Sequence, residues 1–284
     1  MEESKTIKRL KRELIKDLPS FPNNKETKET LESKKLTDLL IDYISWKARL
    51  ITPRKRKIII NNEVDITDNT ITSILNSENY INLKNKIESG DDLNPYLSLK
   101  AHDKGYSPDA KENGNSWVDK DFILNVMNLY HFHLLPYEKD KQESTRTDEL
   151  VFAKVDKTTF EIIGIFDHSV FESEENTDAL NLEREKLFKT WDNIIMKNIP
   201  DESIIVPTSL TTSGHTQEVV FASMEYSKII KEYDKKFNDI AFINILYENK
   251  EIPNNPKLNW YFNGTDLGII DKDNNFFILR HGKN

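Results

Sequence analysis

Apolar residues recur every three or four positions through the first third of the chain and every second position in its middle, and this change of period marks out the elements. Ile7, Leu10, Leu14, Ile15 and Leu18 lie at helical spacing up to Pro19, after which "SFPNNKETKET" reads as a loop. Leu36, Leu39, Leu40, Tyr43, Ile44, Lys47 and Leu50 form the stripe of an amphipathic helix that ends before Pro53. A further helical stretch runs from about Thr70 to Glu88 and closes at Gly90, a residue suited to the left-handed position after a helix. Residues 91–119 are rich in Asn, Asp, Gly, Ser and Pro, and a loop of that length is functional or mobile as a rule.

Phe122, Ile123, Val126 and Met127 suggest a short helix, and then the period becomes two. "YHFHLL", "ELVFAKV" and "TFEIIGIFDHSVF" read as strands, the last two joined as a hairpin at Asp156–Thr159. An acidic helix bearing Leu187, Phe188, Trp191, Ile194 and Ile195 follows. From about Ser203 the pattern predicts a strand "SIIVPT", a helix capped by Thr216 and running to about Phe237, a strand "IAFINILY", and a hairpin over "LNWYFNGTDLGIIDKDNNFFILRH". The fold class is therefore α+β. It comprises a basic helical region at 1–90, a small antiparallel sheet with flanking helices at 91–200, and an α+β lobe at 201–284.

Composition narrows the chemistry. The chain has no Cys, which excludes thiolate nucleophiles, disulfides and Cys-based metal sites. No signal-like or membrane-length apolar run is visible, so a soluble, cytoplasmic protein with no membrane partner is expected. Residues 1–60 carry 16 Lys and Arg against 9 Asp and Glu, whereas the net charge of the whole chain is −8. Such asymmetry marks either a basic arm for nucleic acid or a solvated helical extension. Within it, Arg54, Lys55, Arg56 and Lys57 form a run that can contact phosphates or simply lead into a strand.

Side chains alternate along a strand, so His131 and His133 project to one face while Phe132 and Leu134 project to the other. Two neighbouring imidazoles make poor core material because each buried nitrogen needs a partner. Arg146 and Asp148 precede the next strand, and His168 and Ser169 follow the hairpin, at strand ends where functional groups gather. Three readings stay open: ordinary strand residues, metal ligands with His168 or Asp148, or an acid–base pair. The last suits transesterification of an RNA phosphodiester, in which one imidazole takes the 2′-OH proton, another protonates the leaving 5′-oxygen, and a guanidinium steadies the phosphoryl charge. That chemistry needs neither metal nor cofactor.

The segment "HFHLL…RTDELVFAKVDKTTFEIIGIFDHSVF…LFKTW" resembles the core of RelE-like toxins and the wider barnase/EndoU/colicin/RelE group of endoribonucleases, over roughly residues 120–195. The resemblance implies a metal-independent endoribonuclease acting on RNA in growth arrest or antiviral defence. It assigns His131, His133, Arg146 and His168 to the site, with Ser169 and Asp148 beside them. Members of that group are usually single small domains, so the longer chain here implies built-in regulation or a protein partner such as an antitoxin. The rivals are a non-enzymatic subunit that binds protein or nucleic acid, and a His-based metallohydrolase.

Overall fold

The structure is a computed structural model that describes residues 3–20, 22–98, 123–137, 147–171, 181–197, 199–200, 211, 215–248 and 251–282. The α+β class holds, but the chain does not divide into three successive regions. One compact unit draws its described residues from within Met1–Ala48 and Leu210–Asn284, and the other from within Arg49–His102 and Lys120–Ser209. The basic N-terminal region is therefore split, its first part folding with the C-terminal segment. Among the described residues no helix is long and apolar enough to cross a membrane.

In the second unit, β1 (Lys57–Ile60), β2 (Tyr130–His133), β3 (Leu150–Val155) and β4 (Thr159–Phe166) form a sheet in the order β1-β4-β3-β2. β2, β3 and β4 are antiparallel as expected, whereas β1 joins β4 in parallel and makes the sheet mixed. A register shift between Phe152 and Ala153 leaves Ile163 as an extra residue of β4, with Ile162 packed on one face of the sheet and Ile163 on the other. One face carries Phe132, Val151, Ala153 and Phe160 and packs with Leu83 and Ile87 of α5 (Glu78–Ser89). The other carries Leu150, Phe152 and Phe166 and packs with Leu187 of α6 (Leu182–Lys197) and the π-helical turn Ile123–Met127. Its strands β2, β3 and β4 are thus packed on both sides, whereas β1 is largely exposed.

The stretch from Thr70 to Glu88 is two helices, α4 (Asn69–Leu75) and α5, because the Ser77 hydroxyl accepts from the Tyr80 N–H and restarts the helix. Gly90 takes φ 87°, the left-handed position expected for it. The strand "SIIVPT" lies outside the described residues.

The first unit contains α1 (Lys5–Asp17), α2 (Lys25–Ser33), α3 (Leu36–Lys47), α7 (Gln217–Tyr233), α8 (Ile240–Tyr247) and an antiparallel sheet of β5 (Asn259–Asn263), β6 (Asp266–Ile270) and β7 (Phe276–Arg280). α2 arises where a loop was expected, because Asn24 accepts from the Thr27 N–H and buried Thr27 and Leu31 supply a face that the polar pattern hid. "IAFINILY" is a helix, not a strand. Asp239 caps it, and the Tyr247 hydroxyl donates to buried Asp271 at 2.6 Å, so an apolar run too short to show its period is drawn into a helix by its ends. Thr216 caps α7 as predicted, accepting from the Val219 N–H. Phe262 of β5 lies between Tyr43 and Tyr226, with ring centroids at 5.6 and 5.7 Å, and joins α3 and α7 to the sheet.

Phe152 is fully buried at the centre of the four-stranded sheet. Phe152→Ala should cost about 3–5 kcal/mol, read as a lowered urea midpoint for the second unit. Asp156 closes the β3–β4 turn. Burial alone would raise its pKa, but the Thr159 hydroxyl, the N–H groups of Thr158 and Thr159, and the Thr158 hydroxyl bring it down to about 2. The folded value lies below the unfolded value of about 3.9, so the contribution is full above about pH 4 and disappears as the pH falls through the folded value. Asp156→Asn should flatten the acid limb of a stability–pH curve in that window; an unchanged limb would show that the turn does not contribute to it.

Candidate functional site

β2 is an edge strand whose register sets His131 opposite Phe152 and His133 opposite Leu150. Both histidines therefore share the face toward α6, as alternation requires. That face is not an open polar concavity. The His131 ring packs 4.9 Å from Phe171 and 5.8 Å from Phe152, and His133 is only 6% exposed. His131 is half-buried and packs on those two rings.

His133 instead meets His168, at 5.0 Å between ring centroids. His168 opens the 3₁₀ turn His168–Phe171 that follows β4, and its side chain is 44% exposed. Its Nδ1 lies 3.0 Å from the Asp148 carbonyl and 3.2 Å from Asp148 Oδ1. Both partners are acceptors, so Nδ1 carries a hydrogen, and in the neutral ring Nε2 holds the lone pair that can take a proton. The Thr147 hydroxyl accepts from the Leu134 N–H at 3.2 Å and donates to the Glu149 carbonyl, bringing the loop before β3 back to the end of β2. Asp148 is delivered to His168 by that clasp.

Ser169 does not join this group through its hydroxyl. Its Oγ and N–H both donate to Asp167 Oδ1, at 2.5 and 2.9 Å, and its carbonyl accepts from Asn181. Its role is to shape the turn. Arg146 lies outside the described residues. Phe171 is the residue that sequence reading missed. Positions i and i+3 eclipse in a 3₁₀ turn, so "HSVF" places its histidine and phenylalanine side by side once the turn type is known. Among the described residues no three of His, Asp and Glu converge to hold a metal ion.

The basic run is mostly architecture. Arg56 is 3% exposed, and its guanidinium donates to the carbonyls of Asp156 at 2.7 Å, Thr52 at 3.1 Å and Arg54 at 3.2 Å. Burial, and then the neighbouring Arg54 charge, lower its pKa from the usual arginine value. Its expected contact with phosphate is therefore corrected: each of its three nitrogens donates to a backbone carbonyl inside the fold. Arg54 is half-buried, and only Lys55 and Lys57 of the run stand exposed.

Comparison with known proteins finds no family model, no curated protein and no solved structure that matches the chain. The likeness to RelE-type endoribonucleases accordingly rests on the sequence pattern alone.

Arg56→Ala should destabilise the second unit by about 1–3 kcal/mol for each carbonyl left buried and unpaired. Lys55→Ala and Lys57→Ala should stay within about 0.5 kcal/mol of the parent. Urea titrations of the three variants separate the structural cation from the two surface ones.

Proposed function

We propose that the second unit carries a metal-independent acid–base centre for transesterification of RNA, built on His168. The observation that carries this reading is the Asp148–His168–His133 arrangement: a half-exposed imidazole with its Nδ1 fixed by acceptors and a second imidazole 5.0 Å away. Asp148 orients His168 and fixes its tautomer, as a second group must for an imidazole to serve as base. His168 Nε2 takes the 2′-OH proton, the 2′-oxygen forms a bond to phosphorus, and the bond from phosphorus to the 5′-oxygen breaks. The leaving 5′-oxygen receives a proton from the imidazole pair, so the products are a 2′,3′-cyclic phosphate and a 5′-OH. Arg146, two positions before Asp148 in sequence, is assigned to the phosphoryl charge. RNA is the substrate partner, and an effector of growth arrest or antiviral defence is the corresponding biological role.

One observation favours a second reading. Burial of His133 and packing of His131 on Phe152 and Phe171 suit a non-enzymatic subunit in which these rings only fill the core.

The test is cleavage of a single-stranded RNA by the purified chain in EDTA, with the product ends identified. Cleavage should leave cyclic phosphate, fail on a substrate with hydrogen in place of the 2′-OH at the cut, and show a bell-shaped pH dependence. His168→Ala should lose about 10²–10⁴-fold in rate, whereas His131→Phe should keep it. Expression of the native chain should slow growth, and expression of His168→Ala should not. Cleavage that stops in EDTA and returns with zinc, or a native chain that never cuts RNA, overturns the reading, and the second outcome leaves the binding subunit.

A further inference from the structure

A cleft of about 1120 Å³ opens in the first unit between α1 and the loops around β5 and β6, and none of its lining residues belongs to the His168 centre. Its floor is apolar, formed by Leu10, Leu14, Trp260 and Phe262, all buried. Its rim is basic: Lys16 comes from α1, Lys257 from the loop before β5, and Lys272 from the β6–β7 turn. The Lys272 N–H donates to the Pro256 carbonyl at 3.3 Å, which ties the two lysine-bearing loops into one wall.

The cleft lining carries five cations, Arg9, Lys16, Lys47, Lys257 and Lys272, against three carboxylates, Glu13, Asp17 and Asp271. Lys16, Lys257 and Lys272 are exposed and form no ion pair among the described residues. The carboxylates that also line the cleft are already engaged. Asp17 accepts from the Tyr43 hydroxyl and from Lys47, each at 2.8 Å, and Asp271 accepts from Tyr247, Asn275 and backbone N–H groups. Glu13 faces Arg9 at 3.6 Å. The excess of two positive charges draws anions to the cleft.

Three features choose among anions. Tyr261 also lines the cleft, on the face of β5 opposite buried Trp260 and Phe262; it is 45% exposed and its ring is braced against Phe276 at 5.5 Å. The volume exceeds the roughly 300–1,000 Å³ of small-ligand pockets. Lys257 also holds φ 41°, a backbone conformation that non-glycine residues seldom adopt and that tends to mark ligand-contacting loops. Phosphates met by spaced lysines and an unpaired base met by a tyrosine are the chemistry of single-strand recognition.

We infer that this cleft binds single-stranded nucleic acid, with Lys16, Lys257 and Lys272 on the phosphodiester backbone and Tyr261 stacking a base. The inference stands on the first unit alone and does not require the His168 centre.

The experiment uses the full chain carrying His168→Ala and a fluorescein-labelled oligodeoxythymidine, which has no 2′-OH to react, followed by anisotropy from about 50 to 200 mM salt. The parent should bind with an affinity that falls steeply with salt. Replacing the three lysines by Ala should weaken binding at least about 10-fold and reduce the log–log salt slope by about 2, at roughly 0.7 per lost phosphate contact. Tyr261→Ala should weaken it about 5–100-fold and Tyr261→Phe should not, since stacking needs the ring and not the hydroxyl. All the substituted side chains are exposed, and unchanged circular dichroism and melting establish that the variants fold. No binding by the parent, or binding that the triple variant leaves unaltered in affinity and slope, overturns the inference. So does polyglutamate binding at the cleft in place of the oligonucleotide, which would assign it to an acidic protein. Cleavage and binding are read separately, so failure of the RNA-cleaving centre with oligonucleotide binding intact leaves this cleft standing.

Discussion

A buried guanidinium organises the second unit. Arg56 spends its donors on carbonyls from three places, Thr52 and Arg54 on its own segment and Asp156 at the β3–β4 turn, residues about a hundred positions apart in sequence. Burying a charge is costly unless it is fully hydrogen-bonded, and carbonyl dipoles are what this pocket offers. Once Arg56 is seated, the Lys57 N–H reaches the Thr158 carbonyl at 2.8 Å and β1 runs parallel along β4 from that point. The Arg56 N–H donates to the Ile87 carbonyl, so the end of α5 is fastened to the same segment. Gly90 permits this approach, since a Cβ there would lie 2.6 Å from the Lys55 nitrogen. A run that resembles a phosphate-binding patch in sequence is thus a splice joining a helix, a strand and a hairpin.

The splice also explains the state of the histidines. With α5 held on one face and α6 on the other, both sides of β3 and β4 are packed with apolar side chains, and an imidazole in the middle of neighbouring β2 meets aromatic rings. His131 accordingly packs on aromatic rings. Only at the end of β2, where the strand stops at His133 and the turn after β4 begins at His168, does the layered packing give way to a half-exposed group. At that corner a titratable strand residue, His133, meets a titratable turn residue, His168, that has its own acceptor in Asp148.

The sequence made these segments legible as strands, and in "YHFH" the alternation also set which side chains share a face. It misplaced features decided by partners far along the chain. "IAFINILY" carries no helical stripe, and only the Asp239 cap and the Tyr247–Asp271 bond declare it a helix. The distinction between Arg56 and Lys55 is invisible in "PRKRK", since it depends on where Asp156 comes to rest. Among the candidate residues, the shared face of His131 and His133 could be read from spacing alone. The pairing of His168 with Asp148 could not, because it rests on the Thr147 clasp across a loop.

The same long-range logic is strongest in the first unit, where α1 and α3 are completed by residues near the other end of the chain. The Thr6 hydroxyl donates to Asp234, Thr37 shares a hydrogen bond with Ser227, and Arg9 donates to Asn259, contacts separated by 228, 190 and 250 residues. Closing such loops costs entropy that no local contact repays, so α1 alone, short and with one buried stripe, has little reason to be stable before α7 and the β5–β7 sheet exist. The whole second unit lies between those two halves in sequence. During synthesis its sheet can assemble while α1 to α3 still wait for their partners, since domains fold as units as the chain emerges. The basic cleft, walled on one side by α1 and on the other by the loops at Lys257 and Lys272, therefore exists only in the completed chain, and its appearance is coupled to closure of the first unit around the second in sequence.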